Sequence, residues 1–496
     1  MMKFPYRYIA RIIVEAKTPL AIGSDDVKED QDSPVTKDFN GLPYIPGTAI
    51  AGWLRTKLVN LDNLFGEKPN SNRDQPEGSN IITSDAYLLD NEYQVHQQVE
   101  ILEGEFFDKY RNLPIRQHVA ITHLGAAKDN ALFDREVVYK GSRFKFEIAL
   151  ELKEKDDNAW NKILNAFYTD DFYIGGGQFD GFGELKVVDE IKVAQFDLST
   201  QLNDYLNITV DLNKNNENFK SYSPEQEQPK HYNETTYTLT GESSFHHFGA
   251  GYGDAFVDQI NYKEEVIEWD DKTPNFVEKY VIPATSIKGV LAHRVAYYYN
   301  IENGNFVEDL IPEIKVQTEN QLIQEYDTSH VQPADKLKAL QKQKTELEKI
   351  LEELEKETFK PENLFNDVVG ENNPGVVEVF GNAKDSKKQT GQRGQTGKVI
   401  IKDIYLDGNL KEHIFYHNKI DRFTGGTVDG ALYSEKVLHI PEAKLCIKVK
   451  KGTPTGNLNK ALDELIQGRL PVGGLVNKGH GIFNLKAKDN DENSNN

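Results

Sequence analysis

Two stretches of this chain crowd carboxylates into loops that follow strand-like runs. The first holds Asp25, Asp26, Glu29, Asp30 and Asp32. The second holds Asp254, Asp258, Glu264, Glu265, Glu268, Asp270 and Asp271. Acids placed this way position an attacking hydroxyl or hold a divalent ion at a phosphodiester, whereas a plain acidic loop needs only solvent. A calcium loop of the EF-hand type starting at Asp26 is excluded, because Lys28 takes its third position and no glycine stands at its sixth.

Basic and glycine-rich segments lie close by. In "DSPVTKDFNGLPYIPGTAIAGWLRTKL", residues 32–58, Pro46 suits the first turn of a helix and Thr48 is placed to cap it. Free N–H groups there attract phosphate. Ile50 and Leu54 form the buried stripe, Gly52 permits close packing, and Arg55 and Lys57 are left near the surface. After Pro283, Lys288, His293 and Arg294 take the basic part. Two glycine loops, Gly175-Gly176 with Gly181 and Gly183, and Gly473-Gly474 with Gly479 and Gly481, follow a helix and precede a strand. Backbone without Cβ approaches a phosphate or another chain closely, and successive N–H groups make an anion nest; the same loops also read as ordinary turns. Neither is a dinucleotide fingerprint or a Walker motif. "HLGAAKDNALFDREVV" and "DRFTGGTVDGALYSEKVL" read as projecting hairpins, whose apolar tips suit a wedge between bases or simply a surface turn.

These features occur twice because the chain repeats itself. "TPLAIGS" is matched by "ESSFHHFGAG", "YIPGTAIAGWL" by "VIPATSIKGVL", and "NLFG" by "EVFG". "NIITSDAYL" is matched by "KVIIKDIYL", the first hairpin by the second, and "GGGQFDGFGEL" by "GGLVNKGHGIF". Six blocks in the same order indicate a tandem duplication. The spacing between copies is 226 residues at Gly23 and Gly249, 237 at Pro46 and Pro283, and 315 at Gly66 and Gly381. The jump places a long insert in the second copy, about residues 297–373. Within it "ADKLKALQKQKTELEKILEELEKETF", 334–359, has apolar residues at helical spacing among charges. The domains are then 1–211, a polar linker 212–234, a second module 235–486 and a disordered tail 487–496. Helices are expected after Pro46 and Pro283, over Asp157 to Ala166 and over Leu458 to Gln467. Interleaved with strand runs, they indicate an α+β fold with ferredoxin-like antiparallel sheets.

Bulk composition sets limits. With 496 residues, 38% hydrophobic content, 25 Phe and 23 Tyr, the chain is globular and long enough for more than one core. Met1 to Tyr8 carries no apolar signal core and no run approaches a membrane span, so no membrane partner and a cytoplasmic location are expected. A single Cys446 excludes an internal disulfide and a multi-cysteine zinc site. The net charge of −21 weighs against a generic nucleic-acid binder, although much of the acid sits in the insert, tail and leading loop.

Taken together, "DSPVTKDFNGLPYIPGTAIAGWLR", "NLFG…IITSDAYL", "GAAKDNALFDREVV", "GGGQFDGFGEL" and their second copies resemble the RAMP (repeat-associated mysterious protein) superfamily. More narrowly, they resemble the Cas-seven-type backbone subunits of type III CRISPR effector complexes, fused in pairs as in the III-D branch. The resemblance spans nearly the whole chain outside insert, linker and tail. It implies modified RRM-like, ferredoxin-like modules with thumb hairpins that stack along a guide RNA and flip out nucleotides at intervals. Target RNA pairs with the guide, and an acid in the leading loop supports cleavage with a divalent cation, Mg2+ foremost. Other effector subunits are the implied partners. Asp32, directly before Ser-Pro-Val, matches the family's catalytic acid, with Asp26 beside it. In the second copy Asp270, Asp271 and Asp254 are the candidates, no Asp-Ser-Pro-Val being present.

The implied RNA contacts are Thr48, Arg55, Lys57, Lys288, Arg294, Arg422 and the eight loop glycines. Two departures stand out. The family's Ser-Ser-Leu-Lys-Gly helix motif keeps its lysine as Lys288 but has Ala51 in the first copy. The thumb motif Ile-Asp-Arg is present at Ile420-Asp421-Arg422 but reads Ile121-Thr122-His123 in the first. Three functions are therefore open: a target-cleaving backbone subunit, a non-catalytic guide-binding scaffold, and a guide-processing ribonuclease using histidine. For the last, His118, His123, His246, His247 and His417 are available, with no pair expected at matched positions.

Overall fold

The computed structural model describes residues 3–23, 32–66, 78–121, 127–305, 370–382, 394–408 and 410–486. The first module contains strands β1 (Tyr6–Ala16), β2 (Tyr44–Ile45), β3 (Ile81–Thr83), β4 (Ala86–Leu88), β5 (Ile115–Ile121) and β6 (Ala127–Glu136). It continues with β7 (Arg143–Leu152), β8 (Leu185–Val187), β9 (Ile191–Asp197) and β10 (Lys220–Tyr222). Its helices are α1 (Gly47–Lys57), α2 (Glu105–Arg111), α3 (Asp157–Ala166) and α4 (Leu202–Leu206). The second contains β11 (Tyr232–Thr240), β12 (Lys263–Asp270), β13 (Thr273–Ile282), β14 (Val399–Ile401) and β15 (Ile404–Leu406). After these come β16 (Lys411–His417), β17 (Tyr433–His439), β18 (Ala443–Lys450) and β19 (Asn484–Leu485). Its helices are α5 (Ala284–Asn303), α6 (Pro374–Phe380) and α7 (Gly456–Ile466).

Both modules have one topology. In the first, β3 pairs β7, β7 pairs β1, and β1 pairs β8, all antiparallel. In the second, β14 pairs β18, β18 pairs β11, and β11 pairs β19, again antiparallel. Numbering the four strands of each β-α-β-β-α-β unit in sequence gives the order 4-1-3-2 twice, which is the ferredoxin-like arrangement. The fold is α+β.

Local sequence accounts for the pieces. β1 reads YRYIARIIVEA, rich in β-branched residues, and Tyr8 to Ile12 are buried without interruption, as suits a central strand covered on both faces. In α3, Asp156 accepts a hydrogen bond from the Ala159 N–H at 2.9 Å, and Trp160, Ile163 and Leu164 turn into the core at helical spacing. In α7 the buried stripe is Leu458, Ala461, Leu462 and Leu465.

The segment expected as a linker, 212–234, is partly built into the modules. Leu212 is buried, the Asn213 side chain accepts from the Val95 N–H at 2.9 Å, and β10 pairs with β9. Buried Arg11 on β1 donates to the carbonyl of Asp211 at 3.1 Å, which fixes the start of this segment. β11 then begins at Tyr232. Of the insert, the end of α5 and residues 370–373 are described; the expected helix 334–359 and the tail 487–496 lie outside the described residues.

Arg116, on β5, ties the modules together. Its guanidinium reaches Glu264 at 2.6 Å and Asp403 at 2.8 Å, and donates to the Tyr405 hydroxyl at 3.3 Å. Burial pulls its pKa down, but Asp403 and Glu264 outweigh that and raise it. Nearby, Lys448 and Lys402 of the second module meet Glu184 of the first at 2.7 and 2.9 Å. Burial pushes the Glu184 carboxyl up, and the two lysines more than reverse it. Trp269 donates to the Gly141 carbonyl at 2.6 Å.

Candidate functional site

In each module a two-stranded hairpin rises beside the leading loop: β5–β6 in the first and β16–β17 in the second. Asp32 sits at the foot of the first. Its carboxylate accepts from the Asp134 N–H at 3.0 Å, and its own N–H donates to the Asp134 carboxylate at 2.9 Å. The same two-point clasp recurs in the second module between Asp258 and Ser434. The Asp258 carboxylate accepts from the Ser434 N–H at 2.7 Å and hydroxyl at 2.8 Å, and its N–H donates back at 3.2 Å. These Ser434 donors hold the exposed Asp258 carboxyl below the usual carboxylate range.

The second-copy candidates are placed differently. Asp270 and Asp271 form the tip of the β12–β13 hairpin, where Asp271 has φ +52° and its carbonyl accepts from Arg143. They do not occupy the position equivalent to Asp32; Asp258 does. Asp254 lies in the leading loop, accepting from the N–H groups of Phe256 and Val257 and pairing with Lys436 at 2.9 Å. Asp26 lies outside the described residues.

The basic residues are mostly committed inside the fold. Arg55 pairs with Asp62 at 2.6 Å and Lys57 pairs with Asp171, so neither is the free surface cation expected of it. Arg294 pairs with Glu464 of α7. Lys288 reaches across the joint to Asp180 in the first glycine loop at 2.8 Å. Arg422 is exposed at the tip of the second hairpin. There Asp421 accepts from the N–H groups of Phe423 and Thr424 at 2.9 and 2.7 Å, holding a tight turn. Phe423 beside it is 98% exposed. The tip of the first hairpin, with His123, lies outside the described residues.

Thr48 does not cap α1. The helix starts at Gly47, whose N–H donates to Asp85 at 2.8 Å, and Thr48 is exposed one residue further on. In the second module Asp403 likewise accepts from the Ala284 N–H at 2.7 Å. A carboxylate from the turn between two short strands, β3–β4 in the first module and β14–β15 in the second, fills the place at the helix start that was expected to be open to phosphate. We expect Asp85→Ala to cost about 1 kcal/mol in urea unfolding, the usual loss of an N-terminal cap, and Asp85→Asn much less. Gly52 does not sit in a close helix contact: it and its counterpart Gly289 both face open space.

The glycine loops are turns with closed hydrogen bonds rather than open nests. Gly176 and Gly183 N–H groups donate to Ala21 and Pro19, and Gly474 and Gly481 to His247 and Phe245. Gly175, Gly183, Gly473 and Gly481 all have positive φ and lie against carbonyl oxygens of their own module. Gly181 instead packs on Ala284 and Ile401 across the joint, while Gly479 meets nothing. A Cβ on Gly481 would lie 2.2 Å from the Val472 oxygen at φ +83°. Gly481→Ala should therefore lose roughly 2–4 kcal/mol, read as a shifted urea midpoint.

A matched histidine pair does exist. His118 faces Phe133 across β5–β6, stacked at 5.0 Å, and His417 faces Tyr433 across β16–β17, stacked at 4.8 Å. Burial, with Arg135 and Arg116 nearby, lowers the His118 pKa to about 4, so at neutral pH it brings no charge to a phosphate. Sequence reasoning also left Arg116 and Phe423 unassigned and passed over Asp258. That aspartate was findable, since it stands 226 residues after Asp32, the spacing of Gly23 and Gly249.

Two ferredoxin-like modules, each raising a hairpin beside a clasped aspartate, define a class of duplicated β-sheet proteins to which sequence comparison gives a family. The model of the RAMP superfamily matches residues 13–186 and 247–484, one stretch in each module, and the chain belongs to that superfamily. Among curated proteins it is similar to the CRISPR system Cms endoribonuclease Csm3 of Methanocaldococcus jannaschii. The two are 25% identical over 205 residues, covering 36% of this chain and 77% of that protein. Among the described residues no helix is long and apolar enough to cross a membrane, and no group of three or more His, Cys, Asp or Glu gathers as a metal cage.

Proposed function

We propose that this chain is a double backbone subunit of a type III CRISPR effector complex, of the III-D kind. Its modules bind guide RNA and cut complementary RNA beside Asp32 and Asp258. The observation that carries the reading is the repeated clasp. Two modules of one topology each fix an aspartate to the foot of a hairpin, which is the spacing device a repeated cut along one RNA needs. The hairpins carry exposed apolar residues, among them Val119, Ile121 and Leu132 on the first and Ile420, Phe423 and Leu432 on the second. Such residues suit unstacking of bases. Gly52 and Gly289 leave helix backbone open to close approach by a strand. The Csm3 relative is itself named an endoribonuclease.

The donor set suits Mg2+, which is held by one or two carboxylates together with substrate phosphates rather than by a protein cage. Asp32, with Asp134 beside it, and Asp258 would be its protein ligands; when bound, the ion would polarise the phosphodiester. The other subunits of the effector are the protein partners, and the cytoplasm is the place of action. The test is purification of the complex from cells that express it, followed by sequencing of bound RNA. Short RNAs carrying a repeat-derived tag are expected; absence of RNA, or an unselected mixture, overturns the reading. Tagged RNA without cutting of a complementary strand would leave the chain a guide-binding scaffold.

A further inference from the structure

Arg116 of the first module is held by three groups of the second: Glu264, Asp403 and the Tyr405 hydroxyl. The repeat places counterparts of all three in the first module. Asp403 corresponds to Asp85 and Tyr405 to Tyr87 in the matched blocks "KVIIKDIYL" and "NIITSDAYL". Glu264 corresponds to Asp38. The Val281 N–H donates to Tyr262 as the Tyr44 N–H donates to Thr36, and the bridges Gly249–Asn261 and Gly23–Val35 fix the same register. Asp38, Asp85 and Tyr87, with Lys37, Phe39 and Tyr44, line a cavity of about 190 Å³.

This cavity has the acids of the Arg116 seat without its cation. Asp85 gives one oxygen to the Gly47 N–H, as Asp403 gives one to Ala284, and its second oxygen has no partner among the described residues. Asp38 accepts from the N–H groups of Asn40 and Leu42. Lys37 turns away to Glu136 at 3.1 Å.

We propose that this cavity is a docking socket for an arginine presented by a neighbouring subunit, and that this subunit is not a second copy of the chain. The inference rests on the reading of the chain as an effector subunit. A second copy is excluded by what it would bring. Arg116 lies opposite Arg135, whose counterpart Glu435 lies opposite Phe415, so the second module presents a phenyl ring where the first presents a guanidinium. The companion contact fails as well. Asp180 pairs with Lys288 across the internal joint, but a second copy would set Lys478 against Ala51. Charge complementarity thus selects a different chain, with an arginine on the strand equivalent to β5.

The test is a photocrosslinker, p-benzoylphenylalanine, in place of Phe39, which is 52% exposed at the socket mouth. The complex is reconstituted from the full chain, guide RNA and the other effector subunits, and crosslinked peptides are identified. The expected product is a peptide of a different subunit that contains an arginine. Its yield should fall about tenfold or more with Asp38→Asn and Asp85→Asn together, which keep both hydrogen-bond acceptors. Crosslinks to a second copy or to RNA overturn the proposal. So does no crosslink in a complex that holds guide RNA, or a yield indifferent to the two substitutions. Failure to form any guide-containing complex overturns the functional reading along with it.

Discussion

Replacing Asp32 by alanine is expected to abolish one cut in a complementary RNA and leave a second cut intact, and Asp258→Ala is expected to do the converse. The two carboxylates are clasped at equivalent positions, one to Asp134 and one to Ser434, so on the proposed function each would serve the RNA passing its own hairpin. Loss of a carboxylate that holds the ion at the phosphodiester is expected to lower the rate by on the order of 10²–10⁴, as for other positioned catalytic groups, which a gel of end-labelled target resolves as disappearance of one band. The fold should survive. Both groups lie at the surface side of their hairpins, and one or two exposed hydrogen bonds contribute about 1 kcal/mol or less. Asp270→Ala and Asp271→Ala should leave both bands, since these residues occupy the β12–β13 tip. A cut opposite the second module that survives Asp258→Ala and fails with Asp271→Ala would reverse the assignment.

What the sequence conveyed depended on whether the cause was local. The helices over Asp157 to Ala166 and after Pro46 and Pro283 were legible because apolar spacing and helix starts are short-range signals. The duplication was legible because block order survives insertion, and it carried the ferredoxin-like topology with it. Partners distant in sequence were not legible. Lys288 reads as a free cation until Asp180, 108 residues away, is brought beside it. Lys57 reads the same way until Asp171 is placed against it. Thr48 has the chemistry of a cap, but Asp85 arrives from the β3–β4 turn and takes the role. The pairing of His118 with His417 is not legible because the recurring hairpin block begins at the loop, and the matched histidines lie on the strand before it, where the two copies share little sequence. Asp258 was the avoidable miss: it lies within the register that Gly23 and Gly249 already fixed.

The largest stability effect is expected at Arg116. Its side chain is 5% exposed, and its partners Glu264 and Asp403 are 0% and 2% exposed, so all three charges are nearly cut off from water. Arg116→Ala would leave two carboxylates facing each other without a cation. Breaking a buried pair in this way costs about 3–5 kcal/mol, far more than the pair contributes relative to an apolar replacement. Arg116→Lys should recover only part of the loss, because a single ammonium cannot span both acids as the planar guanidinium does. The triple change Arg116→Met, Glu264→Gln and Asp403→Asn separates the explanations. It removes the stranded charge while keeping the Asp403 cap on Ala284 as an amide oxygen. If desolvated carboxylates are the cause, the triple variant should be markedly more stable in urea than Arg116→Ala, despite carrying two further substitutions. If the arginine acts instead through its packing over Phe182, at 5.0 Å, the triple variant should be no better. The same experiment reports on the joint: two urea transitions in Arg116→Ala, where the parent shows one, would mean that this arginine makes the two modules unfold as a unit.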